Sequence, residues 1–374
     1  MRVLVTTDTI GGVWIYTREL VTGLVGRGIG VTLVSFGDIP TAQQTEWLDR
    51  LPEVDYRATA FRLEWMRDAP EDQRASAEFL TSVVAEVQPD LLHLSQFCYG
   101  SLNVAGLKIK PPRLVVAHSD VLSWWAAVRG EAPPQTAWLS WYRDVVKAGL
   151  ANATAVVAPS QYMLDSLRIH YSDLSRAMVI HNGRDPRLFS PHITKDGSVL
   201  SVGRLWDAAK QVTLLTQHEQ PVPVCIVGSE IHPEEVFRSR SISHDDSHHL
   251  QFKGPRSEGQ LRLLYARAAM YAATSRYEPF GLAPVEAALS RCAIIANDIP
   301  TFRELWGEDA IYFRPNDADS LTDTIRQLSA DIELRAAYGL RAYQRALQRF
   351  TAERMVDDYL ELYKSLVGIE VVAA

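Results

Sequence analysis

Short apolar runs alternate with longer helical runs along this chain, and the rhythm occurs twice. Val3–Val5, Val31–Phe36, Leu91–Leu94, Leu114–Ala117, Ala155–Ala158 and Met178–Ile180 read as strands. Val13–Val25, Ala75–Val87 and Gln161–His170 read as helices among them. Strands without polar alternation, separated by helices, form parallel sheets covered on both faces. From Asn182 to Gly197 no period persists, and Gly183, Pro186, Pro191 and Gly197 punctuate the stretch, which marks a domain boundary. The rhythm then restarts with Val199–Val202, a helix near Ala208–His218 and a strand at Val222–Val227. Phe252, Met270–Ala273, Ile294–Ala296 and Ile311–Phe313 supply further strands, and Leu282–Ser290 a helix. The last fifty residues read as helices, with no strand after Phe313. The fold class is therefore α/β, with two doubly wound Rossmann-like domains. Ligands of such sheets bind outside the carboxyl ends of the strands, at the point where strand order reverses. With two lobes, a cleft facing both is the expected site.

A length of 374 residues suits two domains of ordinary size. With 47% apolar and 22% charged residues the composition is globular, which excludes disordered and coiled-coil classes. The net charge of −7 argues against a broad nucleic-acid surface. Cys98, Cys225 and Cys292 lie far apart with no CxxC pair, so they read as reduced thiols. The N-terminal apolar run is too short for a signal-peptide core, and Leu20–Phe36 is interrupted by Arg27 and glycines. A cytoplasmic location is expected.

Three strand ends carry chemistry. Asp8-Thr9-Ile10-Gly11-Gly12-Val13 follows the first strand and opens a helix, whose free N–H groups suit an anion; a plain βα turn is the alternative. It is not GxGxxG, so a dinucleotide is disfavoured. In the second domain, Ser201-Val202-Gly203-Arg204 ends a strand and Lys210 follows, placing two cations where a diphosphate could bind. The alternative is surface pairing with an acid such as Asp207. Ser275-Arg276-Tyr277-Glu278-Pro279-Phe280-Gly281-Leu282-Ala283-Pro284-Val285-Glu286 follows another strand and begins a helix. The N–H groups of Gly281 and Leu282 suit an anion there. Glu278 before the helix and Glu286 a turn inside it can reach different hydroxyls of one elongated ligand. The alternatives are a helix-dipole partner for Glu278 and a solvated helix face for Glu286.

The string Glu278 to Glu286 resembles the E-x7-E motif of the retaining glycosyltransferases of family 4, which have the GT-B fold. Arg204-x5-Lys210 is similar to that family's diphosphate-binding pair, Gly11-Gly12 to its N-terminal glycine loop, and His118 to a histidine that contacts the donor sugar. Ala158-Pro159-Ser160 and Asn182-Gly183 are similar to further landmarks. The resemblance runs through nearly the whole chain in order. Three positions depart from the pattern: Gln211 stands where glycine is usual, Arg184 where a branched apolar residue is usual, and Ser119 where aspartate is common.

The resemblance implies an acceptor-binding domain over 1–190 and a nucleotide-sugar donor domain over 191–350. It also implies a final helix over 351–374 that crosses back to the first domain. It implies a nucleotide-diphosphate sugar donor, retention at the anomeric carbon and no metal cofactor. Glu286 would bind the ribose hydroxyls, Glu278 the sugar hydroxyls, and Arg204 and Lys210 the diphosphate. His118 would orient the sugar in a front-face reaction. Gly203, Phe280, Gly281 and Leu282, with Gly11 and Gly12, complete the donor-binding set.

The acceptor is expected to be a carbohydrate or glycoside. Trp124 and Trp125 are candidates for stacking on it, with core packing the alternative for them and for Trp138 and Trp141. Leu63-Glu64-Trp65-Met66-Arg67 reads as an amphipathic aromatic patch. Asp49–Asp72 is mixed in charge, so membrane attachment is disfavoured. His244, Asp245, Asp246, His248 and His249 read as a solvated loop rather than a metal site, and Asp245-Asp246 does not form a convincing DxD motif. Competing functions are a non-hydrolysing sugar-nucleotide epimerase and a non-catalytic sugar-nucleotide-binding partner subunit. An exported sugar receptor would need a signal peptide.

Overall fold

The computed structural model describes residues 1–104, 106, 110–171, 174, 176–230 and 249–368. The chain divides into two compact units. One comprises Met1–Ser123, Glu131–Asn182 and Ala352–Ala374; the other comprises Trp124–Gly130 and Gly183–Thr351. The chain thus changes unit after Asn182 rather than at residue 190, and the short Trp124–Gly130 segment groups with the second unit.

The first unit is built on seven strands: β1 (Arg2–Asp8), β2 (Gly30–Phe36), β3 (Asp55–Ala58), β4 (Leu91–Leu94), β5 (Arg113–Val116), β6 (Ala155–Ala158) and β7 (Ala177–Val179). All pair in parallel in the order β3-β2-β1-β4-β5-β6-β7. The winding direction therefore reverses between β1 and β4, beside which the glycine loop leaves the sheet. Val3 and Val5 enter one buried cluster while Leu4 enters the other, so the sheet is covered on both faces. β3 escaped the sequence reading because its Asp-Tyr-Arg-Ala edge has no apolar run, and Arg57 on it pairs with Asp55 and Glu86.

The final helix, Ala352–Val367, belongs to this unit. Met355, Val356, Tyr359, Leu362 and Tyr363 fall on one face at helical spacing and are buried against the helix Gly12–Val25 and β4. His93 of β4 lies fully buried beneath it. Its Nδ1 is 2.6 Å from the Tyr363 hydroxyl and its Nε2 is 3.1 Å from the Tyr16 hydroxyl.

The second unit is built on β8 (Val199–Val202), β9 (Val224–Val227), β10 (Leu250–Phe252), β11 (Met270–Ala273), β12 (Ala293–Asn297) and β13 (Ile311–Phe313). They pair in parallel in the order β10-β9-β8-β11-β12-β13, which puts the reversal between β8 and β11. Met270 and Ala272 face one cluster, Tyr271 and Ala273 the other. The helix anticipated near Ala208–His218 is instead two short 3-10 turns, Ala208–Lys210 and Val212–Thr216. Gln211 between them adopts φ 46° and ψ 34°, a left-handed conformation that breaks the helix. Glycine tolerates that backbone best, so Gln211 holds it at a local cost.

Candidate active site

In the second unit, the loops after β8 and β11 flank the reversal of strand order. Asp207 organises the first. Its buried carboxylate accepts from the Ala209 N–H at 2.9 Å, capping the turn Ala208–Lys210, and from the Trp124 indole at 3.2 Å. It also pairs with the half-exposed Arg204 at 2.9 Å. The turn is fastened to the next loop: the Arg276 N–H donates to the Ala209 carbonyl at 2.8 Å, and the Thr274 hydroxyl donates to the Lys210 carbonyl at 2.6 Å.

This fastening brings Lys210 beside Glu278. The ammonium lies 2.6 Å from Glu278 Oε2, and the Ser275 hydroxyl donates to the same oxygen at 3.1 Å. Lys210 and Glu278 are mostly buried, with 18% and 14% of their side chains exposed. A charge-assisted contact this short fixes both groups. Beneath them, the Tyr271 hydroxyl donates to the Val202 carbonyl. Burial first, then the Glu278 charge, holds that phenol well above its ordinary pKa.

Gly281 then caps the helix Leu282–Leu289 with φ 91°, in the region that favours glycine. A Cβ there would lie 3.1 Å from Glu278 Cγ, so the residue also makes room for the glutamate. Glu286, a turn into the helix, is buried rather than solvated, and its Oε1 lies 2.8 Å from Arg184 Nε. The Phe280 side chain, of the expected donor-binding set, is buried, and its ring packs edge-on to Phe350 at 5.4 Å in the core. Only its backbone lies on the loop. Gly203 begins the loop after β8, donating its N–H to the Val227 carbonyl at 3.0 Å.

In the first unit, Gly11 takes φ 74° and the helix starts at Gly12, while the Ile10 N–H donates to Asp8. His118 follows β5 and is half-buried. Its Nε2 lies 3.3 Å from the Ser95 hydroxyl, and its ring meets the Tyr16 ring edge-on at 4.5 Å. Tyr16 is on the glycine-loop helix, so the fold brings His118 to that loop's helix. Burial lowers the His118 pKa to about 3, making it a neutral hydrogen-bonding group at physiological pH.

Trp124 and Trp125 lie on the helix Val121–Arg129 with ring centroids 6.2 Å apart and Arg129 within 5.9 Å of both. They group with the second unit, and Trp124 is tied to Asp207. Trp138 and Trp141 pack against the core of the first unit, the Trp138 indole donating to the Met66 carbonyl at 2.8 Å. The Leu63–Arg67 stretch is not an amphipathic surface. Leu63 and Met66 are core residues, and the buried Glu64 carboxylate accepts the Phe97 and Cys98 N–H groups at 2.9 and 2.8 Å.

Of the His-rich stretch, His244, Asp245, Asp246 and His248 lie outside the described residues. Among the described residues, no helix is long and apolar enough to cross a membrane, and the three cysteines are buried and free.

Sequence reasoning undervalued two residues. Asp207 reads as an ion partner, yet an aspartate just before a turn is also the usual capping signal. Asn297, at the end of β12, donates to the Ser275 carbonyl at 3.1 Å and accepts from the Asn316 N–H at 3.1 Å, bracing the Glu278 loop. No local sequence signal marked it.

The model of Glycosyltransferase Family 4 matches residues 10–188, and that of Glycosyl transferases group 1 matches residues 189–345. The chain is a glycosyltransferase of family 4. Among the relatives of this glycosyltransferase is the lipopolysaccharide core biosynthesis mannosyltransferase LpcC of Rhizobium leguminosarum bv. viciae, 36% identical over 110 residues. That match covers 29% of this chain and 31% of LpcC, so it spans less than a third of that relative. Sucrose-phosphate synthase from Thermosynechococcus elongatus superimposes with a TM-score of 0.81 at 20% identity, covering 99% of this chain and 100% of that one. HepE from Anabaena, in complex with UDP and glucose, gives a TM-score of 0.74 at 17% identity, covering 98% and 100%. These likenesses identify the fold of the glycosyltransferase as GT-B.

Proposed function

We propose that this glycosyltransferase moves a sugar from a nucleotide-diphosphate donor to a hydroxyl of a carbohydrate or small glycoside, with retention at the anomeric carbon. The observation that carries the reading is the meeting of Lys210 and Glu278 at 2.6 Å beside the start of the helix Leu282–Leu289, at the reversal between β8 and β11. A diphosphate needs cations and free N–H groups, and sugar hydroxyls need a carboxylate; one edge of the second sheet supplies all of these. The UDP and glucose of the HepE complex have that chemistry, and LpcC is named for mannosyl transfer.

In this reading Arg204 and Lys210 meet the diphosphate, where negative charge grows as the glycosidic bond breaks. Phosphate oxygens take over Lys210 from Glu278, and Glu278 then accepts hydroxyls of the donor sugar. Glu286 accepts the ribose hydroxyls. His118, neutral, orients the sugar through a hydrogen bond and does not act as base. The acceptor oxygen bonds to the anomeric carbon on the face the diphosphate leaves, and a phosphate oxygen of the leaving group takes the acceptor proton. With two cations and helix N–H groups carrying the charge, the reaction needs no metal. The free cysteines fit a reducing compartment, so we assign the reaction to the cytoplasm.

A panel of nucleotide sugars, UDP-glucose and mannose-bearing nucleotides included, tests the donor by thermal shift, since a bound ligand raises the melting temperature. Turnover of the stabilising donor in EDTA, with proton NMR of the product's anomeric centre, tests the rest. An inverted anomer, or activity abolished by EDTA and restored by a divalent ion, would overturn the mechanism.

A further inference from the structure

Arg184 opens the second unit, at a position where the family resemblance leads one to expect a branched apolar residue. Its backbone is fixed: the N–H donates to the Phe350 carbonyl at 3.0 Å, and a parallel bridge joins it to Thr351. Its side chain is only 1% exposed. The guanidinium reaches Glu286 Oε1 through Nε at 2.8 Å and Glu258 Oε1 through Nη2 at 2.8 Å, and lies over the Phe189 ring at 5.5 Å. Arg262 holds Glu258 from the other side at 2.9 Å.

We propose that Arg184 is a positioning residue for donor binding: it pins Oε1 of Glu286 and keeps that buried carboxylate ionised, so that Glu286 meets the ribose hydroxyls as an anion. The inference rests on the ribose assignment of Glu286 made above. A buried carboxylate without a countercharge protonates, and a protonated one accepts hydrogen bonds weakly. Among the described residues, Arg184, Tyr265 from the helix Glu258–Arg267 and Tyr271 from β11 interact with Glu286. Burial, reinforced by Glu286, holds both phenols above their ordinary range, so they stay neutral and the guanidinium supplies the positive charge. Glu258 and Arg262 lie behind it and balance each other.

The test follows donor KM and kcat from pH 5.5 to 9 in wild type, Arg184→Met, Arg184→Lys and Glu286→Ala, with thermal unfolding as a check on folding. Arg184→Met should raise donor KM about tenfold at neutral pH with kcat nearly unchanged. Its KM should fall again as pH rises, because the uncompensated Glu286 ionises only at higher pH. Arg184→Lys keeps a charge but not the fork, so its KM should rise a few-fold with a profile as flat as wild type's. A folded Arg184→Met with wild-type KM and a flat profile would overturn the proposal. If Arg184→Met does not fold, Arg184→Lys decides: an unchanged KM overturns it, and a raised KM with unchanged kcat supports it. An unchanged donor KM in Glu286→Ala would bring down the ribose assignment itself, and this inference with it. A raised KM there beside an indifferent Arg184→Met would bring down only the inference.

Discussion

Lys210 is held by Glu278 at 2.6 Å, and Arg204 by Asp207 at 2.9 Å, so each cation already has an anionic partner that a donor diphosphate would replace in the proposed reaction. In the proposed reaction one anion substitutes for another, which would leave Glu278 to accept hydroxyls of the donor sugar. Lys210→Ala should lower kcat about a hundredfold, roughly 3 kcal/mol in the barrier, since it removes a preorganised cation from the growing charge. Circular dichroism checks that the fold persists, and near-wild-type turnover would take Lys210 out of the mechanism. These residues stood out in the sequence because Arg-x5-Lys and Glu-x7-Glu follow strands and resemble the motifs of family 4. Their partners did not. Asp207 reads in the sequence as one more surface acid, and only the folded turn shows it capping Ala209 while gripping Trp124. The pairing of Arg184 with Glu286 spans a hundred positions of chain, and no local pattern could announce it.

Among the elements, the helix Leu282–Leu289 depends on the backbone that precedes it. Gly281→Ala should destabilise the protein by about 1 kcal/mol, because φ 91° disfavours a Cβ. The new methyl, 3.1 Å from Glu278 Cγ, should also displace the glutamate and lower turnover. Urea unfolding with parallel kinetics measures both, and an alanine variant of undiminished stability would contradict the strained cap. Strands buried on both faces, such as Leu91–Leu94 and Met270–Ala273, were readable to the residue because burial forces a continuous apolar run. β3 was not, since an edge strand is free to carry Asp55 and Arg57. The apolar spacing over Ala208–His218 suits one helix as well as the two turns found there, and the left-handed Gln211 that splits it leaves no compositional trace.

For the molecule as a whole, acid sensitivity should trace to two histidines with depressed pKa, His118 and the fully buried His93. For His93 the size can be worked out. Its pKa falls to about 3, through burial first and His118 second, whereas the unfolded imidazole protonates near 6.5. The unfolded state therefore takes up the proton first. Stability is full above about pH 6.5 and declines as pH falls toward 3, by about 2 kcal/mol at pH 5 from His93 alone. Scanning calorimetry should find a larger drop in Tm between pH 7 and pH 5 for wild type than for His93→Gln; equal drops would contradict a neutral His93. The same histidine sits under Tyr363 of the final helix, and this has a temporal consequence. The ribosome makes Ala352–Val367 only after the whole second unit, on the order of ten seconds after Asn182 at ordinary elongation rates. Until then the nascent first unit carries an uncovered apolar strip around Tyr16, Val21 and Leu24, so the half made first is finished last.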